Sequence, residues 1–123
     1  MSDDAGATET RVEPFLPLKP TWFQMMVVLA GGVRHGYAIR REVEDRTDGS
    51  IRLWPTTLYG SLSRMEQAGL IEEAEEEPVG EDDAVDRVFY RLTPLGRAVL
   101  SAETERLHDL VRLSRARIAA TGP

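Results

Sequence analysis

The 123-residue chain has 41% hydrophobic and 29% charged residues, the composition of one globular domain, and it is too short for two that each bury a core. With no cysteine, it holds no disulfide framework, thiolate zinc finger, iron–sulfur cluster or cysteine nucleophile. The formal charge of −6, taken alone, argues against nucleic acid, because a small domain that binds it is expected to be basic.

Residues 1–18 are small, acidic and punctuated by Pro14 and Pro17, which predicts a disordered acidic arm with Phe15 and Leu16 against the body. From Pro20 the run Trp22 to Ala30 is apolar on all sides, and Gly31-Gly32 closes it. This predicts a short helix that must be covered all round, by its own chain or by a second copy. A second helix runs from about Gly36 to Arg46, with Ala38, Ile39 and Val43 inward, and Asp48-Gly49 turns the chain. Pro55 starts a third helix that extends to about Ala68, in which Leu58, Leu62 and Met65 fall on one side. Trp54, just before it, is expected to pack beneath it, with stacking on a ligand at that surface as the alternative.

Two candidate strands follow, Leu70 to Ala74 and Val88 to Leu92, the second alternating Val88, Tyr90 and Leu92 against Phe89 and Arg91, and the pair reads as a hairpin with a long acidic tip. Thr93-Pro94 then caps a helix of about 25 residues reaching Ile118. Its apolar residues Leu100, Leu107, Leu110, Val111 and Ile118 recur near a 3.5 period, the pattern of a helix that pairs with another chain. The longest apolar run, Met25 to Ala30, is far below the ~18–20 residues of a membrane span. The expected location is the cytoplasm, at the nucleoid, with no membrane partner.

The charge is unevenly placed. Residues 1–14 carry a net −3, and residues 72–86 hold nine acids and no base, which leaves a surplus of six positive charges on the other 94 residues. The body is therefore basic. Fourteen of the fifteen basic residues are arginine, which fits either phosphate recognition by a bidentate fork or a codon bias.

Three helices, a hairpin and a long terminal helix make a mainly α fold with a small β-hairpin (α+β). This is a winged helix-turn-helix with a C-terminal dimerisation helix. The expected boundaries are an arm at 1–18, the DNA-binding domain at 19–92, the dimerisation helix at 93–118 and a tail at 119–123. At 100° per residue, Thr56, Thr57, Gly60, Ser63, Arg64 and Gln67 lie opposite the Leu58–Leu62–Met65 stripe. These small or hydrogen-bonding side chains suit a reader of the major groove. Gly60 leaves room for close approach, and Arg64 can reach guanine edges or a phosphate.

Four segments, His35-Gly36-Tyr37-Ala38-Ile39, Pro55 to Met65, Gly69-Leu70-Ile71 and Tyr90 to Arg97, together resemble the signature of PadR-like bacterial transcriptional regulators. The resemblance covers about residues 18–118. It implies a homodimeric regulator, usually a repressor, bound to operator DNA through the third helix and the wing, with Tyr37 and Tyr59 at the DNA backbone. It also implies a planar aromatic or cationic effector near the dimer interface. Trp22, Met26, Leu100, Leu107, Leu110, Val111 and Ile118 are the candidate interface residues. Trp22, Met25, Met26, Leu100 and Leu107 are candidates either for an effector pocket or for a plain buried dimer core.

The acidic wing departs from the family pattern. Arg87 and Arg91 are the cations left at its base, and a negative tip is repelled by phosphate. The alternative function is a winged-helix protein-interaction module that docks a basic partner through this wing. An enzyme is not expected, for want of a metal-ligand cluster, a Gly-rich phosphate loop or a partnered histidine, and no cofactor is expected either. His35, before a glycine that starts a helix, reads as a turn or packing residue.

Overall fold

In the computed structural model, residues 10–75 and 88–122 are described. A 3₁₀ helix over Thr10–Phe15 precedes α1 (Pro20–Ala30), β1 (Arg34–His35), α2 (Gly36–Arg46) and α3 (Pro55–Gln67). Then come β2 (Ile71–Ala74), β3 (Phe89–Leu92) and α4 (Pro94–Thr121). Proline in the first turn starts α1, α3 and α4, where its missing N–H would have had no helical partner.

The strands form one antiparallel sheet in the order β1-β3-β2. In the wing, Ile71 pairs with Leu92, Glu72 with Arg91, Glu73 with Tyr90 and Ala74 with Phe89. On the other side of β3, Arg34 pairs with Tyr90 and His35 with Phe89. Met25, Met26 and Leu29 of α1, Ile39 and Val43 of α2, and Leu58, Leu62 and Met65 of α3 share one core with Leu53, Leu70, Ile71, Leu92 and Val99.

The wing is joined to α4 by a dense set of backbone contacts. The Thr93 N–H donates to the Leu70 carbonyl at 3.0 Å, and its hydroxyl donates to the Gly69 carbonyl while accepting the Gly96 N–H. Gly69 has φ +83°, a region that glycine enters without steric cost.

Four expectations are corrected here. The sheet has three strands rather than two, because the residue pair before α2 adds to the free edge of β3. Within the predicted arm, residues 10–18 are placed on the body, with Val12, Phe15 and Leu16 packed against the core and Leu18 inside it. The reason is polar as well as apolar: the Leu18 N–H donates to the carboxylate of Glu103 at 3.3 Å. The period-2 alternation of β3 fails at Phe89, which is buried along with Tyr90. It meets the His35 ring edge-on at 5.3 Å, a neighbour that a two-stranded hairpin would not supply. Trp54 is 58% exposed, not beneath α3, because Leu53 takes the inward position at that point. The wing tip, including Arg87, lies outside the described residues.

Candidate nucleic-acid interface

Helix α3 buries Leu58, Ser61, Leu62 and Met65 and turns Thr56, Thr57, Tyr59, Ser63, Arg64 and Gln67 to solvent. This is the division that the 3.6-residue period dictates. Gly60 is half-buried because the Arg64 guanidinium folds back over it, with both terminal nitrogens 3.6 Å from where a Cβ would stand. The flat spot left by the glycine is thus a bed for the arginine one turn later, which holds the fork along the helix surface. Glu66 is the one acid exposed on α3, at the flank of this face.

The position of α3 is fixed from α2. Asp48 and Gly49 have φ of 54° and 78°, two successive left-handed residues that reverse the chain. The Thr47 hydroxyl donates to the Val43 carbonyl at 2.8 Å and accepts the Ile51 N–H at 3.2 Å. Glu44 Oε2 accepts the Leu53 N–H at 3.0 Å and Arg40 Nε at 3.1 Å. The Leu53 N–H, seconded by Arg40, holds the Glu44 carboxyl below its ordinary value against the opposing effect of desolvation. One carboxylate therefore ties the last residues of the turn to α2.

At the start of α2, His35 Nδ1 accepts the Ala38 N–H at 3.1 Å, so the histidine is an N-cap and a packing residue. Tyr37 is exposed with the Arg41 guanidinium 5.7 Å from its ring centroid. In the wing, Arg91 is exposed but lies 2.8 Å from Glu72 across the strand pair. One of the two cations that the sequence leaves at the wing base is therefore paired with an acid.

The candidate interface and pocket residues divide into two groups. Met25 and Met26 are both 0% exposed and Leu100 is nearly closed, because β3, α2 and α4 of the same chain cover α1. They are core residues of the protomer and present no surface to a second copy or a ligand. Trp22 and Leu107 are half-buried, while Leu110, Val111 and Ile118 are exposed, as is Leu113, which the periodicity had left out. From His108 onward every described residue of α4 is exposed.

The sequence reading missed Glu103. It is 2% exposed, yet both carboxylate oxygens are engaged by Arg106, at 2.7 and 2.8 Å. The arginine, aided by the Leu18 N–H, holds its carboxyl below the ordinary value despite burial. The Glu-x-x-Arg spacing on one helix face was the available signal, but nothing in it pointed to Leu18. Among the described residues no group of three or more potential metal ligands comes together, and no helix is long and apolar enough to cross a membrane.

The model of the transcriptional regulator PadR-like family matches residues 25–102, which include α2, α3, the wing strands and the first turns of α4. A relative from Lysinibacillus sphaericus, an uncharacterized protein, is 35% identical over 83 residues, covering 63% of this chain and 73% of that one. A transcriptional regulator of Mycobacterium tuberculosis is 37% identical over 82 residues, covering 64% of this chain and 57% of its own length. A 37.1 kDa protein of a Streptomyces fradiae transposon is 41% identical over 93 residues, so the match takes in 74% of this chain but only 24% of that protein.

Among solved structures, a Clostridium thermocellum transcriptional regulator superposes with a TM-score of 0.61 at 22% identity, over 94% of this chain and 95% of that one. A PadR-like regulator of Bacillus cereus gives a TM-score of 0.66 at 15% identity, over 82% and 91%. At these identities the structures speak for the fold, and the family match speaks for descent. With the helix-turn-helix geometry, the wing and the matched span in agreement, the chain belongs to the PadR-like family of transcriptional regulators.

Proposed function

We propose that this protein is a homodimeric DNA-binding repressor that reads an inverted-repeat operator in the cytoplasm, at the nucleoid. The observation that carries the reading is the exposed face of α3, where Thr56, Thr57, Ser63, Arg64 and Gln67 stand clear of the core on a helix fixed by Glu44 and Leu53. Side chains of this kind donate and accept at base edges in the major groove, and arginine pairs with guanine or grips a phosphate. Tyr37 and Tyr59, with Arg41 beside Tyr37, supply backbone contacts that set the register.

Dimerisation is supported by the free half of α4. Residues 104–121 extend roughly 27 Å at 1.5 Å per residue and carry Leu107, Leu110, Val111 and Ile118 along one seam. Isolated apolar side chains are common on surfaces, but a continuous stripe on an otherwise unsupported helix favours a second copy. Two reader helices related by a two-fold axis bind half-sites about one turn, ~34 Å, apart. An aromatic or cationic effector would have to reach the dimer interface through Trp22 and Leu107, since Met25 and Met26 are closed inside the protomer.

A gel-shift titration against the duplex upstream of its own gene tests the reading. Binding that weakens steeply with salt and is weakened by Arg64→Ala supports it. Absence of salt-sensitive binding, with Arg64→Ala indistinguishable from wild type, overturns it.

A further inference from the structure

Trp54 occupies the N-cap position of α3 without making a side-chain cap hydrogen bond, and 58% of it is exposed. An indole is among the largest apolar surfaces a chain can bury. Here it contributes neither to the core nor to the helix it precedes. Beside it, the Arg52 guanidinium carbon lies 5.9 Å from the ring centroid, so a cation and a flat apolar face are presented together.

The next residues, Pro55, Thr56 and Thr57, are also exposed, which makes the pair continuous with the face of α3 assigned to DNA. On the other side, Arg52 borders a shallow cleft with Glu44, Asp45, Asp48 and Gly49. Of these acids, Glu44 is already engaged by the Leu53 N–H and by Arg40. Asp45 and Asp48 remain beside Arg52 in that cleft, while Trp54 adjoins the exposed first turn of α3, the end of the helix that a duplex seated on it would meet first with its sugar-phosphate strand.

We infer that Trp54 and Arg52 clamp the DNA backbone at the entrance to α3, the indole lying on a deoxyribose while its Nε1–H and the guanidinium donate to the adjoining phosphate. The inference rests on α3 being the reader. Backbone contacts position a protein without reading sequence, so the clamp adds affinity alike to operator and to unrelated duplex. Trp54 carries no charge and releases no counterion, whereas Arg52 does.

The test uses the full chain with a labelled operator duplex and a random duplex, titrated at several salt concentrations. Trp54→Ala is expected to weaken binding to both duplexes by the same factor, about five- to tenfold, with an unchanged salt slope. Arg52→Ala is expected to lower that slope by about 0.9. DNA should quench the tryptophan emission of the wild type, and Trp54→Phe, which keeps an aromatic ring, should bind DNA and lose the quench. Binding unaffected by Trp54→Ala, or a quench that persists in Trp54→Phe and so arises from Trp22, overturns the clamp while leaving the reader helix standing if Arg64→Ala still weakens binding. A wild-type chain that binds no duplex overturns both.

Discussion

Gly96, in the first turn of α4, lies so close to the carbonyl of Leu70 that a Cβ built on it would overlap the oxygen. Both partners are backbone, and the Leu70 carbonyl also accepts the Thr93 N–H, so neither side can move without breaking the junction of wing and helix. Gly96→Ala is expected to destabilise the fold by about 2–4 kcal/mol, the cost of forced overpacking at a fixed site. Chemical denaturation measures this directly, and a midpoint equal to wild type would show that the junction yields.

Glu44 and Glu103 predict how the fold responds to acid. Both carboxyls lie below the ordinary 4.5 in the folded chain, the first chiefly through the Leu53 N–H and the second chiefly through Arg106. A lowered carboxyl contributes stability that is complete above the unfolded value and is lost as pH falls through the folded one. The thermal midpoint should therefore hold steady near neutrality and drop once pH falls below about 4.5. Glu103→Gln should shrink that drop, and an identical acid limb in the variant would contradict the assignment.

Glu103 also fixes the N-terminal segment. Replacing it by alanine leaves the buried Leu18 N–H without its acceptor, at a cost of about 1–3 kcal/mol. Limited proteolysis should then cut within residues 10–18 before any other described segment. Equal resistance in wild type and variant would mean that Val12, Phe15 and Leu16 hold the segment unaided.

The seam on α4 has a direct test. Ile118, 63% exposed, plays no part in the protomer core, so Ile118→Glu should leave the thermal midpoint of dilute protein nearly unchanged. By sedimentation it should convert dimer to monomer, and operator affinity should fall with it. Dimers of unchanged strength would place the contact on another surface.

The Glu72–Arg91 pair bears on the wing. Both side chains are about half exposed, so the pair stabilises the sheet little, but it offsets the charge of a cation proposed to meet phosphate. Glu72→Gln is expected to tighten binding to any duplex and to steepen its salt slope by about 0.9. An unchanged slope would mean that the base of the wing stands away from the DNA.

The parts of this fold that were legible in the sequence are those governed by local rules. Pro20, Pro55 and Thr93-Pro94 mark helix starts, and the Leu58–Leu62–Met65 stripe assigns the two faces of α3 correctly. What escaped depends on partners remote in the chain. β1 has two residues, too few for any periodicity, and exists because β3 offers an edge. The segment at 10–18 looks like a polar arm until Glu103, 85 residues away from Leu18, supplies an acceptor.

The candidate site shows the same division. The outward residues of α3 follow from helical geometry, but the burial of Met25 and Met26 does not. An apolar run reads the same whether its own chain or a second copy covers it, and only the packing of α1 decides for the chain itself. Trp54 was misplaced because hydrophobicity alone assigns an indole to the interior, while the register of the turn gives that place to Leu53.

The polar anchor that sets the angle of α3 sits on α2 and in the turn, in Glu44, Arg40 and Thr47, and the apolar anchor lies on the inner stripe of α3. Neither uses Thr56, Ser63 or Gln67. Folding thus rests on residues other than those proposed for recognition, and the outer face of α3 can be rewritten without disturbing the frame that carries it. The protein is in this respect a scaffold with an exchangeable outer surface, on which the Arg64 guanidinium lies over Gly60 at ordinary van der Waals distance from where a Cβ would stand.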